Sequence, residues 1–263
     1  MLILVVVYKQ LLSESDTILS LLRSQEVLHP NDTVLIWDNS PDAQSMDFVE
    51  TALKIGHGNW TYQHHPENIP LPKVYNNVVA HARNEELIIF LDQDSQFDQE
   101  YIKEVTESAL TYPGINLFAP LVYARNRLVS PGHFQYFKGR YWSKPKKGLT
   151  CAKGNIALMS GLAVRTSYLR SFGGFDERLR LYGVDTNLLL RYAKSNKQFF
   201  VLGALFNHDL SDFNKEPHDV KLKRFEDFDH ASRINAELFS LPVQILTAFF
   251  LWYRRLGLKA CRS

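Results

Sequence analysis

Two carboxylates follow a short apolar run near the middle of the chain, and their spacing is the clearest chemical signal in the sequence. The run 87–91 suits a strand buried on both faces, and Asp92-Gln93-Asp94 follows it directly. Two carboxylates so close together repel each other beside a core, and a hard divalent metal carrying a diphosphate would compensate them. The simpler alternative is that Asp92 caps a turn and Asp94 is solvated.

The elements around this motif predict an α/β fold, because strand and helix patterns alternate through the first half of the chain. The predicted strands span residues 2–8, 33–37, 60–64, 87–91 and 115–119. The predicted helices span residues 13–27, 43–55, 72–82 and 99–110. This alternation implies right-handed crossovers and a mainly parallel central sheet with helices on both faces. In such sheets, ligands bind outside the carboxyl ends of the strands.

The second half of the chain is less regular. Residues 120–150 are rich in Arg, Lys, Tyr, Phe and Gly without a clear period, which predicts a surface excursion or a mobile loop. Such a segment would form either a lid over substrate or a dimer surface. Beyond it we expect a strand at 155–164, a short helix through 172, a helix at 184–193, a strand at 199–202 and helices from about residue 215.

Composition limits the class of protein. The chain has 263 residues, 45% hydrophobic and 22% charged, and its net charge of +2 gives no reason to expect nucleic acid as a partner. Cys151 and Cys261 form neither a metal motif nor a disulfide framework, which favours a cytoplasmic protein. Residues 1–8 lack the basic flank of a signal peptide and predict a buried strand. No run reaches the roughly 20 apolar residues of a membrane span.

Other polar motifs follow the remaining predicted strands and loops. They are Tyr8-Lys9, Asp38-Asn39-Ser40, Glu67-Asn68-Ile69-Pro70, Asn76-Asn77, Phe172-Gly173-Gly174-Phe175-Asp176-Glu177, Gly183-Val184-Asp185, Arg191 and His208. In this order and spacing, roughly residues 1–210 resemble the GT-A-fold glycosyltransferases of family 2. The sequence Leu91-Asp92-Gln93-Asp94-Ser95 looks most like the bacterial rhamnosyltransferase branch of that family.

The resemblance implies that the first half of the chain binds a nucleotide-sugar donor. Asp38 would accept a hydrogen bond from N3–H of uracil or thymine, and Tyr8 would pack on the base or ribose. Asp94 would bind Mg²⁺ or Mn²⁺ bridging the diphosphate, and Asp92 would contact the ribose or the metal shell. His208 would be a third metal ligand. The remaining donor-binding candidates are Asn68, Lys73, Gln93, Ser160 and Gly161, the last two through their backbone.

The same resemblance assigns later residues to the acceptor side. Asp185 is the candidate catalytic base, which would take the proton of an acceptor hydroxyl opposite the leaving group and so invert the anomeric carbon. The Glu that precedes this Asp in the family is missing, because Val184 stands there. Gly174 and Asp176 lie in a segment that looks like the family's acceptor loop. Arg191 would pair with a phosphate or an acidic neighbour.

Each of these assignments has a structural alternative. Asp38 and Asp176 also suit turns, Asp185 also suits a helix cap, and a lone His such as His208 is more often structural.

Three alternative functions of the chain stay open. They are a UDP-galactose, UDP-glucose or UDP-N-acetylglucosamine donor on the same fold, a non-catalytic nucleotide-sugar-binding or scaffolding subunit, and a nucleotidyltransferase. The last is disfavoured because residues 8–11 contain no glycine.

The predicted organisation has two parts. Residues 1–210 form the GT-A domain, with a nucleotide-binding half at 1–119 and an acceptor-binding half at 120–210, and residues 211–263 form a C-terminal helical extension. In that extension the apolar run 241–253 precedes basic residues, and no acidic residue follows Glu237. This pattern predicts a helix lying on an anionic membrane surface, here the inner face of the cytoplasmic membrane.

The alternative for this C-terminal run is a core helix or a homodimer helix whose basic end suits its dipole. The membrane interpretation would fit a glycan acceptor linked to polyprenyl diphosphate or to lipid A. Together with the rhamnosyltransferase-like motif, it indicates transfer of L-rhamnose from dTDP-β-L-rhamnose in the synthesis of a bacterial surface polysaccharide, O-antigen or capsule.

Overall fold

Parallel strands form the first half of the central sheet in the computed structural model, which describes residues 1–45, 49, 59–82, 86–208 and 218–260. These strands are β1 (Leu2–Val7), β2 (Thr33–Asp38), β3 (Asn59–His64) and β4 (Leu87–Asp92). Their spatial order is β3-β2-β1-β4. The register pairs Val7 with Asp38 and Val6 with Asp92, so the carboxyl ends of β1, β2 and β4 meet at one edge.

The second half of the sheet mixes strand directions. Its main strands are β6 (Leu117–Ala124), β10 (Gly148–Cys151), β12 (Leu162–Arg165) and β13 (Gln198–His208). Strand β12 runs antiparallel between β4 and β6, and β13 runs parallel to β6. A short strand, β5 (Ser95–Phe97), pairs with the end of β13 and sets His208 opposite Ser95. This pairing brings His208 to the edge where β4 ends.

Helices cover both faces of this sheet. They are α1 (Asp16–Arg23), α2 (Leu71–His81), α3 (Gln99–Thr111), α4 (Thr166–Ser171), α5 (Val184–Ser195) and α6 (His218–Ala236). A last helix, α7 (Leu241–Ala260), packs against α6. Alternate residues of β1 contribute to different hydrophobic cores. One core includes side chains of α2, α4, α5 and α6, and the other includes side chains of α1 and α3. The predicted α/β fold with a mainly parallel sheet is confirmed.

The predicted loop at 120–150 is wrong, because most of this segment is strand. After β6 come β7 (Arg127–Ser130), β8 (Gly132–Gln135) and β9 (Lys138–Tyr141), and β8 pairs with both β9 and β11 (Asn155–Ile156). Strand β9 is exposed along its whole length. Short strands of this kind carry no apolar alternation, so hydrophobic periodicity does not detect them.

Strand β6 was predicted to end before Pro120, yet it continues to Ala124. The neighbouring strand β13 shifts its register between Val201 and Leu205, at the level of this proline. In that irregular stretch the backbone N–H groups of Gly203 and Ala204 donate to the carboxylate of Glu104 instead of to a strand. A proline is tolerated there because the ladder is already interrupted.

Helix α1 is shorter than the helix that the sequence predicts there. The helix predicted at 13–27 is divided into a 3-10 turn at Leu12–Glu14, helix α1 and a second 3-10 turn at Gln25–Val27, with Ser15 as the N-cap of α1. The helix predicted at 43–55 lies mostly outside the described residues, as does the domain boundary at 210. Among the helices that are described, none combines the length and the apolarity of a membrane span.

Candidate active site

The three predicted metal ligands meet at the edge of the sheet where β4 and β13 end. Asp94 Oδ1 is 3.3 Å from His208 Nδ1, and Asp92 Oδ2 is 3.9 Å from His208 Nε2. The Asp92 and Asp94 side chains are 37% and 36% exposed, whereas the His208 side chain is 10% exposed. The carboxylates therefore face a solvent-accessible rim, and His208 lies behind them.

This donor set fits a divalent cation of the Mg²⁺ or Mn²⁺ type, since it combines carboxylate oxygens with an imidazole. Within the described part of the chain, no three His, Cys, Asp or Glu side chains are placed so that together they could hold a metal ion. Mg²⁺ is commonly held by only one or two carboxylates and completed by the phosphates of its substrate. The residues thus suit an ion that binds together with a diphosphate.

Hydroxyl groups of α1 hold the acidic loop in place. Thr17 Oγ1 donates to the backbone carbonyl of Asp92 and accepts the N–H of Ser95 at 2.9 Å. Ser15 Oγ donates to the carbonyl of Gln93 at 2.7 Å. Local sequence patterns do not indicate Thr17 or Ser15, because these contacts join residues far apart in the chain. They fix the backbone that carries both carboxylates.

Ser160 and Gly161 support this loop from inside the protein. Ser160 Oγ accepts the backbone N–H of Asp92 at 2.9 Å. The N–H of Gly161 donates to the carbonyl of Phe90 at 2.7 Å, and its carbonyl accepts the hydroxyl of Tyr101 at 2.8 Å. Because the backbone of Gly161 is already bonded internally, this position does not favour the predicted contact with a donor sugar.

Asp38 lies at the end of β2 and is completely buried. Its Oδ1 accepts the N–H of Ser40 at 2.9 Å, and its Oδ2 accepts the hydroxyl of Tyr62 at 2.7 Å. Burial raises the pKa of Tyr62 to about 12, and the Asp38 carboxylate adds to this shift. Tyr62 was not anticipated. Recognition of a pyrimidine base by Asp38 stays a prediction, since its carboxylate has no exposed surface in this structure.

Of the other predicted donor-side residues, Tyr8 and Gln93 lie beside the carboxylates, Asn68 lies before α2 and Lys73 lies in the first turn of α2. The backbone N–H of Tyr8 donates to Gln93 Oε1 at 2.7 Å, which joins the end of β1 to the acidic loop. The Tyr8 side chain is 40% exposed and is available for stacking. Asn68 and Lys73 are exposed, and Asn68 has a positive φ of 50°. Their donor contacts stay predictions.

Asp185 lies in the first turn of α5. The N-cap of this helix is Gly183, in a left-handed conformation, so Asp185 is not the capping residue. Its Oδ1 instead accepts the N–H of Thr186 at 2.6 Å. Burial raises the pKa of Asp185, and the bonds from Thr186 oppose the rise. A carboxylate with a raised pKa is a better proton acceptor than an ordinary aspartate.

Asp92 and Asp185 belong to one electrostatic site. The pKa of Asp92 is raised to about 6, mainly because the group is removed from water. The neighbouring His208 opposes this rise, and the charges of Asp94 and Asp185 add to it. The same two carboxylates, Asp92 and Asp185, contribute after burial to the raised pKa of Tyr75. The candidate base and the candidate metal ligands are therefore close enough to interact, as the chemistry of transfer requires.

Replacing Asp92 with Asn is expected to raise the melting temperature of the metal-free protein at neutral pH. The pKa of Asp92 rises from 3.8 to about 6 in the folded state, so the folded state binds this proton more tightly than the unfolded chain does. Stability from this group is present at low pH and is lost as the pH rises through about 6.

Thermal melts of Asp92→Asn between pH 4 and pH 8, with the exposed Asp42→Asn as control, check this expectation. The advantage of Asp92→Asn should be complete above the folded pKa and should shrink toward acidic pH. A pH-independent offset, or a lower melting temperature at neutral pH, would contradict it.

The acceptor-side loop is held by an amide and a guanidinium. Asn76 Oδ1 accepts the N–H of Phe175 at 2.7 Å, and its Nδ2 donates to the Phe175 carbonyl at 3.0 Å. Arg191 donates to the carbonyls of Gly174 and Phe172, both at 2.7 Å, and lies over the Phe172 ring. These bonds shape the loop, and the charge of Arg191 also helps to lower the pKa of its acidic neighbour Asp176. The predicted pairing of Arg191 with a phosphate stays a prediction.

Asp176 and helix α6 complete the acceptor side. Arg178 donates to both carboxylate oxygens of Asp176 and lowers its pKa. The same guanidinium donates to both carboxylate oxygens of Glu237, through Nη1 at 3.1 Å and through Nη2 at 2.9 Å. Asn235 of α6 donates to the carbonyl of Gly183 at 3.0 Å. Helix α6 and the adjoining Glu237 therefore stabilise the segment that leads to Asp185. Local sequence patterns did not indicate these contacts.

The mixed sheet and the acidic loop after β4 together define the GT-A class of fold. Residues 3–170 match the glycosyl transferase family 2 model, and the chain belongs to that family. Both the predicted fold and the predicted family are confirmed. Among curated proteins, no sequence matches this chain.

Solved structures similar to this one include S. aureus TarS 1-349, with a TM-score of 0.64 and 17% identity over 90% of this chain and 65% of that chain. GalNAc-T7 with UDP, GalNAc and Mn²⁺ has a TM-score of 0.60 and 13% identity over 92% and 52%. The mannosyltransferase PcManGT from Pyrobaculum calidifontis with GDP-Man and Mn²⁺ has a TM-score of 0.60 and 12% identity over 97% and 74%. At these identities the similarity concerns the fold. The chain spans about two thirds of TarS 1-349.

Proposed function

We propose that this chain is an inverting, metal-dependent glycosyltransferase that moves a sugar from a nucleoside diphosphate to a hydroxyl of a glycan or lipid-linked glycan. The observation that carries the proposal is the meeting of Asp92, Asp94 and His208 at one strand edge, with Asp185 close enough to influence Asp92. Family membership and the Mn²⁺-bound structures of GalNAc-T7 and PcManGT support the metal.

In this proposal the metal ligands act on the donor, and Asp185 acts on the acceptor. Asp94, Asp92 and His208 would hold a divalent metal, which supplies charge neutralisation for the departing diphosphate. Asp185 takes the proton from the acceptor hydroxyl, and its burial keeps it basic enough to do so. The hydroxyl attacks from the face opposite the diphosphate, so the anomeric configuration inverts.

Contacts of the acceptor-side loop and of the acidic loop agree with these roles. Asn76 and Arg191 fix the backbone of the acceptor-side loop without using the carboxylates. Tyr8, joined to the acidic loop through Gln93, offers an exposed ring to the base or ribose. A non-catalytic subunit would not need a carboxylate with a raised pKa near the metal ligands, so the placement of Asp185 favours an enzyme over a scaffolding role.

For the donor we propose dTDP-β-L-rhamnose, supported by the similarity of Leu91-Asp92-Gln93-Asp94-Ser95 to bacterial rhamnosyltransferases. The alternative is a UDP-linked galactose, glucose or N-acetylglucosamine. The similar structures hold UDP in one case and GDP-Man in another, so the fold accommodates several bases. Assembly of a bacterial surface polysaccharide, O-antigen or capsule, is the setting we propose for this reaction.

A donor panel tests the proposal. Release of nucleoside diphosphate is measured from dTDP-β-L-rhamnose and from the three UDP-sugars, with and without Mn²⁺. We expect metal-dependent release that is fastest from the rhamnose donor, and an α-linked rhamnoside as the product of inversion. Fastest release from a UDP-sugar would replace the donor but keep the enzyme class. Nucleotide binding without release from any donor would favour a non-catalytic subunit.

A further inference from the structure

Helix α7 exposes an apolar and aromatic face. Val243, Thr247 and Leu251 are buried, which fixes the side of the helix that packs on the protein. Four other residues recur at spacings of four, three and four and so share another face. They are Ile245, Phe249, Trp252 and Leu256, which are 62%, 63%, 53% and 46% exposed. An apolar face of this size on a folded domain indicates an interaction surface.

The charge of the chain is strongly uneven. Between residues 108 and 175 there is no Asp or Glu, and the same segment has ten basic residues: Arg125, Arg127, Lys138, Arg140, Lys144, Lys146, Lys147, Lys153, Arg165 and Arg170. Arg254 and Arg255 extend this excess in α7, beyond the last acidic residue, Glu237. The whole chain carries only +2, so the positive charge is concentrated in this part of the sequence. Of these residues Arg165 is buried and paired with Glu86, so it adds nothing to the surface charge.

Aromatic contacts bring the basic segment against α7. The rings of Phe137 and Phe250 are 4.8 Å apart, and those of Phe134 and Phe239 are 6.5 Å apart. Phe137 precedes β9, whose Lys138 and Arg140 are exposed. The β8–β9 hairpin and α7 therefore form adjoining parts of one surface, which we call the basic-aromatic surface.

We propose that the basic-aromatic surface docks this protein on an anionic lipid bilayer. Trp, Phe and Leu side chains of an amphipathic helix enter the headgroup region, and neighbouring Lys and Arg contact anionic lipids. A second copy of the chain is a poorer occupant. In a symmetric dimer the same surface faces itself, so Arg254, Arg255 and the basic hairpin would confront like charges.

Docking in this way would place the acceptor-side turn at Gly183 near the bilayer. Helix α7 follows α6 closely, and α6 is bonded to the acceptor-side turn through Asn235 and Gly183. Arg178 adds a second tie to Glu237, in the connection between the two helices. This step rests on the proposed function, and it selects an acceptor that is itself anchored in lipid.

Sedimentation of the full chain with vesicles tests the docking without any nucleotide. The probes are vesicles of phosphatidylcholine alone and of phosphatidylcholine mixed with phosphatidylglycerol. We expect binding to the mixed vesicles that weakens as salt is added. Arg254→Glu with Arg255→Glu should weaken this binding by about 30-fold or more. Phe249→Ser with Trp252→Ser should weaken it by about tenfold or more.

The controls are Arg23→Glu on α1 and Leu110→Ser on α3, both at exposed positions, which should bind vesicles like the wild type. Circular dichroism melts show whether each variant is folded. Failure of the wild type to bind mixed vesicles, or equal binding to neutral vesicles, would overturn the proposal. A wild-type dimer that Phe249→Ser with Trp252→Ser converts to a monomer would also overturn it. Donor turnover is assayed separately without vesicles. A failure of membrane docking is therefore distinguished from a failure of the proposed glycosyl transfer.

Discussion

Replacing Asp185 with Asn is expected to reduce turnover by about 10²–10⁴-fold, the usual contribution of general-base catalysis. Asn keeps the shape of the side chain and the bond from the Thr186 N–H, but it cannot accept the acceptor proton. Donor affinity should change little, because the candidate metal ligands Asp92 and Asp94 are retained. The check is to measure kcat together with nucleotide affinity, so that loss of chemistry is separated from loss of binding.

A matched variant tests the same assignment through pH. The Thr186 hydroxyl lies 3.3 Å from Asp185 Oδ1 and lowers its pKa. Removing that hydroxyl in Thr186→Ala should raise the pKa of Asp185 further. Because the base acts when deprotonated, the fall of turnover at low pH should begin at a higher pH in Thr186→Ala than in the wild type. Wild-type turnover in Asp185→Asn would remove Asp185 from the catalytic role.

Replacing Gly161 with Ala is expected to cost about 3 kcal/mol or more of unfolding free energy. Gly161 has a φ of +85°, and a Cβ there would lie 2.6 Å from Pro120 Cγ and 2.9 Å from Phe206 Cζ. Pro120 is held in β6 between β12 and β13, so it has little freedom to move away. The adjacent Ser160 supports Asp92, so the change should also disturb the acidic loop. Urea denaturation measures the loss.

Gly154→Ala is the matched control for this change. Gly154 has a similar φ of +78°, but nothing lies within 4 Å of a Cβ built on it. It should therefore lose only about 1–2 kcal/mol, the cost of the left-handed backbone. Equal losses in the two variants would show that the contacts with Pro120 and Phe206 do not matter.

The part of the fold that the sequence predicts best is the part with strong local patterns. Strands β1, β2 and β4 are nearly continuous apolar runs because they are buried in the sheet, and such runs are visible without a structure. Asp92 is the last residue of β4 and Asp94 follows the strand, so the rule that ligands bind at the carboxyl ends of strands located both. His208 was located only through the family resemblance, since its strand was predicted to end at residue 202.

Features that depend on distant contacts could not be predicted from spacing. The bonds of Thr17 and Ser15 to the acidic loop join residues separated by 75 and 78 positions. The charge of Arg191 suggests a phosphate ligand, yet in the structure one N–H of each terminal nitrogen donates to a loop carbonyl. The strands between residues 120 and 150 escape detection because short exposed strands have no apolar period, and because a bulge in β13 permits Pro120 inside β6.

The central claim is that Asp92 and Asp94 hold a metal and the diphosphate of a nucleotide at the end of β4. Calorimetric titration of dTDP and UDP, each with and without Mn²⁺ or Mg²⁺, on the wild type and on Asp94→Ala tests it most directly. We expect metal-dependent binding by the wild type that is lost in Asp94→Ala, with a preference for dTDP if rhamnose is the donor sugar. Absence of binding of either nucleotide under every metal condition would contradict the account.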